Sequence, residues 1–82
     1  MSNLIKYNNV FISVFNAKES DFKNEFSVSS VDNWDSITQL SLITEIEDEF
    51  DIMLDTDEIL EFRSYKIGKE LLLKYNIKIS ES

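Results

Sequence analysis

The sequence predicts a small all-α domain: a four-helix bundle of three longer helices and one short one, with a long first loop. Three observations lead there. Apolar residues recur at three- and four-residue steps in separate segments, the spacing of a helix with one buried face. Helix-start patterns stand directly before those segments. The chain holds one Gly and no Pro among 82 residues, and the single β-rich hexamer, residues 10–15, has no second strand of like quality to pair with. Eighty-two residues leave room for one folded unit, 1–82.

In residues 4–15, Leu4, Tyr7, Phe11, Val14 and Phe15 mark the first buried helical face. Residues 16–35 show no sustained period and are rich in Ser, Asn and Asp, so they read as a connection. A structureless loop of that length is usually functional or misassigned. Phe22, Phe26, Val28, Val31 and Trp34 are candidates to pin it to the core. The second helix starts at Asp35-Ser36, where Ser36 and Gln39 form a capping-box pattern, and runs to Phe50. Asp55 and Glu58 repeat that pattern, with Leu54 and Ile59 placed as a hydrophobic staple, and predict a short helix over 56–61. Ser64 can cap a last helix reaching about Tyr75, with Ile67, Leu71, Leu72 and Tyr75 apolar and Lys66, Lys69 and Lys74 solvated. Residues 76–82 are expected to fray.

Composition excludes several functions. With no Cys and no His there is no thiol nucleophile, no Cys/His zinc set and no Ser-His-Asp triad, so the chain is not expected to be an enzyme, and no catalytic or metal-ligating residue is assigned. A formal charge of −8 repels phosphate backbones and anionic membranes, so neither nucleic acid nor membrane insertion is expected. Residues 31–62 hold eleven acids and no Lys or Arg; they carry −11, while the eight basic and five acidic residues elsewhere carry +3. No apolar run has the length of a signal core or a membrane span, and a cytoplasmic monomer is the expectation. A calcium loop framed from Asp51 fails, because Met53 takes a ligand position, Thr56 replaces the Gly and Phe62 the final Glu. Two-carboxylate hydrolysis lacks a cleft.

On the second helix, Gln39, Leu42, Ile43, Ile46 and Phe50 share one arc, which faces the core. Ile37, Leu40, Ser41, Thr44, Glu47, Asp48 and Asp51 lie opposite. Acids at one end and two aliphatics beside the helix start suit a docking surface, where charge steers and apolar area holds. The same pattern describes a solvated face with two stray aliphatics. Ser36 is also open to two readings that do not exclude each other. It is a favoured N-cap, and its hydroxyl at a helix start is a place where a phosphodiester would meet the positive end of the helix dipole.

Asn33-Trp34-Asp35-Ser36-Ile37, followed by Leu40, Leu42, Ile43, Ile46 and then Glu47-Asp48-Glu49-Phe50, closely resembles the acyl carrier protein signature of Asp-Ser-Leu at a helix start with an acidic triplet and Phe at its end. The resemblance covers nearly the whole chain. It implies a stand-alone carrier whose Ser36 receives a 4′-phosphopantetheine arm from coenzyme A through a phosphopantetheinyl transferase. Acyl groups would travel on that arm as thioesters between biosynthetic enzymes of fatty acid or polyketide type, which dock on the acidic face. Asp35 is implied in transferase recognition, near its magnesium ion, and Ile37, Leu40, Glu47 and Asp48 in partner binding. The imported thiol would explain acyl chemistry in a chain without Cys or His.

The pattern departs from the family at several places. Asn33 and Asp51 stand where Gly is common, and Thr38, Ser41 and Thr44 where many fatty-acid carriers have acids or Met. Trp34 resembles stand-alone carriers of polysaccharide, polyketide or peptide clusters, and a ring there also serves as a loop anchor. Two alternatives remain at this level: an aminoacyl or peptidyl carrier using the same arm, and an unmodified acidic docking module.

Overall fold

The aromatic side chains on the first helix decide where the core sits. In the computed structural model, which describes residues 2–23 and 25–79, α1 spans Asn3–Phe15 and α2 spans Ser36–Phe50; α3 is the short helix Thr56–Glu61 and α4 is Tyr65–Leu73. This is the expected all-α bundle. Residues 10–15 are helical, and Val10 joins Tyr7, Phe11 and Phe15 on the buried face, while Leu4 and Val14 are half-buried. Phe11 is wholly buried at the centre, with the rings of Tyr7, Phe22, Phe26, Trp34, Phe62 and Tyr65 at 4.9–6.3 Å from its own. Such edge-to-face and offset pairs each add about 0.5–1.5 kcal/mol beyond the area they bury.

A buried hydrogen bond crosses from α1 to the start of α4. The Tyr7 hydroxyl donates to the Tyr65 carbonyl at 2.6 Å, and burial pushes its pKa well above the ordinary phenol value. Next to it lies Gly68, the chain's one glycine, where a methyl group would overlap the Tyr7 hydroxyl and the Phe62 ring.

The long first connection is anchored as its aromatics suggest. α1 stops at Asn16, which adopts the left-handed conformation, and a 3-10 turn follows at Glu19–Lys23. Phe26 and Trp34 are buried, and Phe22, Val28 and Val31 pack against the same core. An isolated antiparallel bridge then ties Ser27 to Ser64, through Val28 N–H to the Arg63 carbonyl at 3.0 Å and Tyr65 N–H to the Phe26 carbonyl at 2.8 Å. The loop therefore satisfies backbone groups at the α3–α4 junction rather than running free over the surface.

The two later helix starts form as expected. Asp55 and Glu58 make a reciprocal capping box, and the Ser64 hydroxyl accepts from Ile67 N–H at 2.9 Å. Glu58 is nonetheless buried, and it accepts from the Tyr75 hydroxyl, which also reaches the Met53 carbonyl at 3.1 Å. That bond, then the Asp55 N–H, holds the Glu58 carboxyl below the usual carboxylate range, and the same bond, then burial, pushes Tyr75 up to about 12.

Two expectations at the carboxyl end need correction. α4 ends at Leu73 rather than Tyr75, because Asn76 takes the left-handed conformation and Ile77 N–H returns to the Leu72 carbonyl at 3.1 Å. Residues 76–79 do not fray: Ile77 and Ile79 pack against the core, and Asn3 Nδ2 donates to the Lys78 carbonyl at 3.3 Å. Apolar burial there outweighs the entropy that frees most chain ends. The rest of that expected tail, 80–82, lies outside the described residues. Among the described residues, no helix is long and apolar enough to cross a membrane.

Candidate functional site

The start of α2 differs from the sequence expectation in a way that bears on chemistry. The N-cap is Asp35, not Ser36: its extended backbone precedes the helix and its carboxylate accepts from Thr38 N–H at 2.9 Å. The Thr38 backbone and then its hydroxyl draw the Asp35 carboxyl below its ordinary pKa. Ser36 is thus the first helical residue. It is exposed, and among the described residues nothing hydrogen-bonds its hydroxyl. The cap expected of Ser36 is made by its neighbour.

Gln39 cannot complete a capping box, because its amide is used in the core-facing wall. Its Oε1 accepts from Trp34 Nε1 at 2.5 Å, and its Nε2 donates to the carbonyls of Ile59 and Phe62, both at 2.9 Å. An indole N–H only donates, so the amide has one self-consistent orientation. Through this side chain the loop residue Trp34, the start of α2 and the end of α3 are tied together. Trp34 is buried as the loop anchor that the sequence suggested.

Beside this latch lies a recess of about 290 Å³ lined by Val28, Trp34, Asp35, Ser36, Gln39, Ile59, Leu60 and Arg63. It offers one guanidinium and apolar walls next to a serine at a helix N-terminus. The lining is chemically compatible with a phosphodiester on Ser36: Arg63 would supply a cation, the α2 dipole would favour the charge, and Val28, Ile59 and Leu60 would suit an aliphatic amide chain.

The outward face of α2 is arranged as its periodicity requires. Ile37 is 78% and Leu40 63% exposed, and with Val14, Ser13, Ser41, Thr44 and Glu45 they line a shallow depression between α1 and α2. Leu42, Ile43 and Ile46 are buried on the opposite arc, whereas Phe50 is only half-buried at the core's margin. The two acids differ. Asp48 is exposed, while Glu47 is half-buried and accepts from Leu54 N–H at 2.9 Å, so it also holds the α2–α3 turn. Ser36, Asp35, Ile37 and Leu40 therefore gather at one end of the helix, and Glu47 and Asp48 lie near the other.

Arg63 was not singled out in the sequence. It is remote from Ser36 along the chain, and no periodicity or motif connects the two. No family model, curated protein or solved structure matches this chain.

Proposed function

We propose that the chain is an acyl carrier protein, carrying acyl intermediates on a 4′-phosphopantetheine arm attached to Ser36 and delivering them to partner biosynthetic enzymes. The observation that carries the proposal is the division of labour at the start of α2. Asp35 caps the helix, so Ser36 has no structural duty, yet it stands exposed at the helix N-terminus beside Arg63 and an apolar-walled recess. The resemblance of residues 33–50 to the carrier signature supports the same conclusion.

When attached, the arm supplies a thiol on which acyl groups are held as thioesters. The chain's own contributions are simpler. α2 presents the Ser36 hydroxyl to a phosphopantetheinyl transferase, with Asp35 beside it as part of the recognition surface. The dipole and Arg63 favour the phosphodiester once formed. Ile37 and Leu40 give the partner apolar area next to the arm, and Asp48, with Glu47, supplies the charge that attracts basic docking surfaces. Catalysis belongs to the partners, and the protein acts in the cytoplasm as a monomer.

Incubation with coenzyme A and a promiscuous phosphopantetheinyl transferase tests this. Intact mass should rise by one phosphopantetheine, located on a peptide containing Ser36, and Ser36→Ala should accept none. Failure of the native chain with several transferases would leave it an unmodified docking module, and modification of the Ala variant would misplace the site.

A further inference from the structure

Besides the recess at Ser36 there is a groove of about 760 Å³ between the first loop and the start of α4, within the size range of small-molecule sites. Its floor is apolar and aromatic, with Phe22, Phe26, Val28, Tyr65 and Ile67. Its lip is cationic. Arg63, Lys66 and Lys69 line it, three of the eight basic residues in a chain of net charge −8.

The cations are not equivalent. The Lys69 ammonium lies 4.6 Å from the centre of the Tyr65 ring, over its face, and is partly committed there. Arg63 and Lys66 are exposed. The acid lining the groove, Glu25, is drawn onto the loop by the hydroxyls of Ser27 at 2.8 Å and Ser29 at 3.3 Å. The groove therefore offers a local excess of positive charge above an apolar bed.

We propose that this groove binds a small amphiphilic carboxylate, with the apolar body on Phe22, Phe26 and Ile67 and the carboxylate at Arg63 and Lys66. The mixture of surfaces selects the class. An inorganic polyanion would leave the floor unused, and a neutral hydrocarbon would leave two cations without a counter-charge. An anionic bilayer is repelled by a chain of net charge −8. A single organic anion matches both the bed and the rim. The groove shares Val28 and Arg63 with the recess beside Ser36, so the two sites adjoin. The inference does not depend on modification of Ser36, and its test uses the unmodified chain, so it can fail while the carrier proposal stands.

The test is a titration of the ¹⁵N-labelled chain with octanoate, octanamide and inorganic phosphate at constant ionic strength. Octanoate should give saturable amide shifts centred on Val28, Ser29, Lys66 and Ile67. Octanamide should bind about tenfold more weakly, the factor expected for one lost charge-assisted hydrogen bond, and phosphate should not saturate there. Arg63→Gln with Lys66→Gln should weaken octanoate about tenfold, while Lys18→Gln with Lys78→Gln, which removes equal charge elsewhere, should stay within about twofold. Equal binding of octanoate and octanamide, shifts centred on another surface, or equal weakening by the two double variants would overturn the proposal.

Discussion

Gln39→Glu is the sharpest perturbation of the latch beside Ser36. The change keeps size and the oxygen that accepts from Trp34 Nε1, but replaces the Nε2 donor with a carboxylate oxygen. That oxygen would face the carbonyls of Ile59 and Phe62, each now 2.9 Å from the amide nitrogen. Two neutral hydrogen bonds are lost, at about 1 kcal/mol each, and a charge is left against two carbonyl dipoles in a half-buried position. The expected loss at pH 7 is about 2–4 kcal/mol, a large part of the roughly 4–12 kcal/mol that a domain of this size has in total.

The sign of the pH dependence separates this mechanism from a simple packing defect. The introduced carboxyl is disfavoured as an anion in the folded state, so its pKa there rises above the unfolded value of about 4.3. The penalty is then complete above the folded pKa and is relieved as pH falls toward the unfolded one. Urea melts followed by far-ultraviolet circular dichroism at pH 7 and pH 5 provide the measurement, with Trp34 emission as a local report. The variant should recover part of its deficit relative to the native chain at pH 5. A deficit below about 0.5 kcal/mol at pH 7, or one that does not shrink on acidification, would mean that the amide does not join these elements.

Three further outcomes are expected. Ile46→Ala, at a fully buried position, should cost about 2–5 kcal/mol in a urea melt, against well under 1 kcal/mol for Leu40→Ala; comparable losses would mean that α2 is rotated about its axis. Gly68→Ala should destabilise despite the better helix propensity of Ala, because overpacking at about 1–3 kcal/mol exceeds the roughly 1 kcal/mol that propensity returns; a stabilised variant would contradict the close approach of Tyr7 and Phe62. Melting temperature should rise on mild acidification from pH 7, as repulsion among the acids is relieved, then fall below about pH 4. The fall arises because Asp35 and Glu58 have depressed folded pKa values, so their contribution is complete above the unfolded carboxylate values and is lost as pH drops through the folded ones. A steady decline from pH 7 would refute the repulsion, and a steady rise to pH 2 would refute the caps.

Local chemistry made most of the fold legible. The Asp55–Glu58 box and the Ser64 cap depend only on residues three apart, so the sequence contains everything that decides them. The aromatics of the first loop were legible because large apolar side chains in a polar stretch have little alternative to burial. The errors arose where a distant partner decides. Asp35 with Thr38 and Ser36 with Gln39 are both acceptable helix starts. The choice falls to Asp35 because Gln39 is engaged with Trp34, Ile59 and Phe62, and two of those partners lie twenty or more residues away. The tail was misjudged for a related reason: Ile77 and Ile79 alternate around Lys78, but the core they cover is built from the rest of the chain. The cationic groove was invisible, since Phe22 and Phe26 are brought to Arg63 and Lys66 by tertiary contacts, the Ser27–Ser64 bridge and the stacking of Phe22 on Tyr65.

The misplaced cap has a consequence for function. A serine that caps its helix has its hydroxyl directed at a backbone N–H, and any group added to the oxygen would compete with that bond. Assigning the cap to Asp35 removes the conflict. The carboxylate would keep the helix start intact if Ser36 were modified as proposed, so the structure around the oxygen would not need to change to take a bulky phosphodiester. On the proposed carrier reading, Asp35 would have two separable roles, as cap and as neighbour of the hydroxyl that is modified. Asn retains the cap geometry without the charge. Asp35→Asn should therefore leave the melt of α2 close to native at neutral pH while slowing transfer of phosphopantetheine to Ser36. If modification proceeds at the native rate, Asp35 serves the helix alone, and the transferase reads some other feature of the surface.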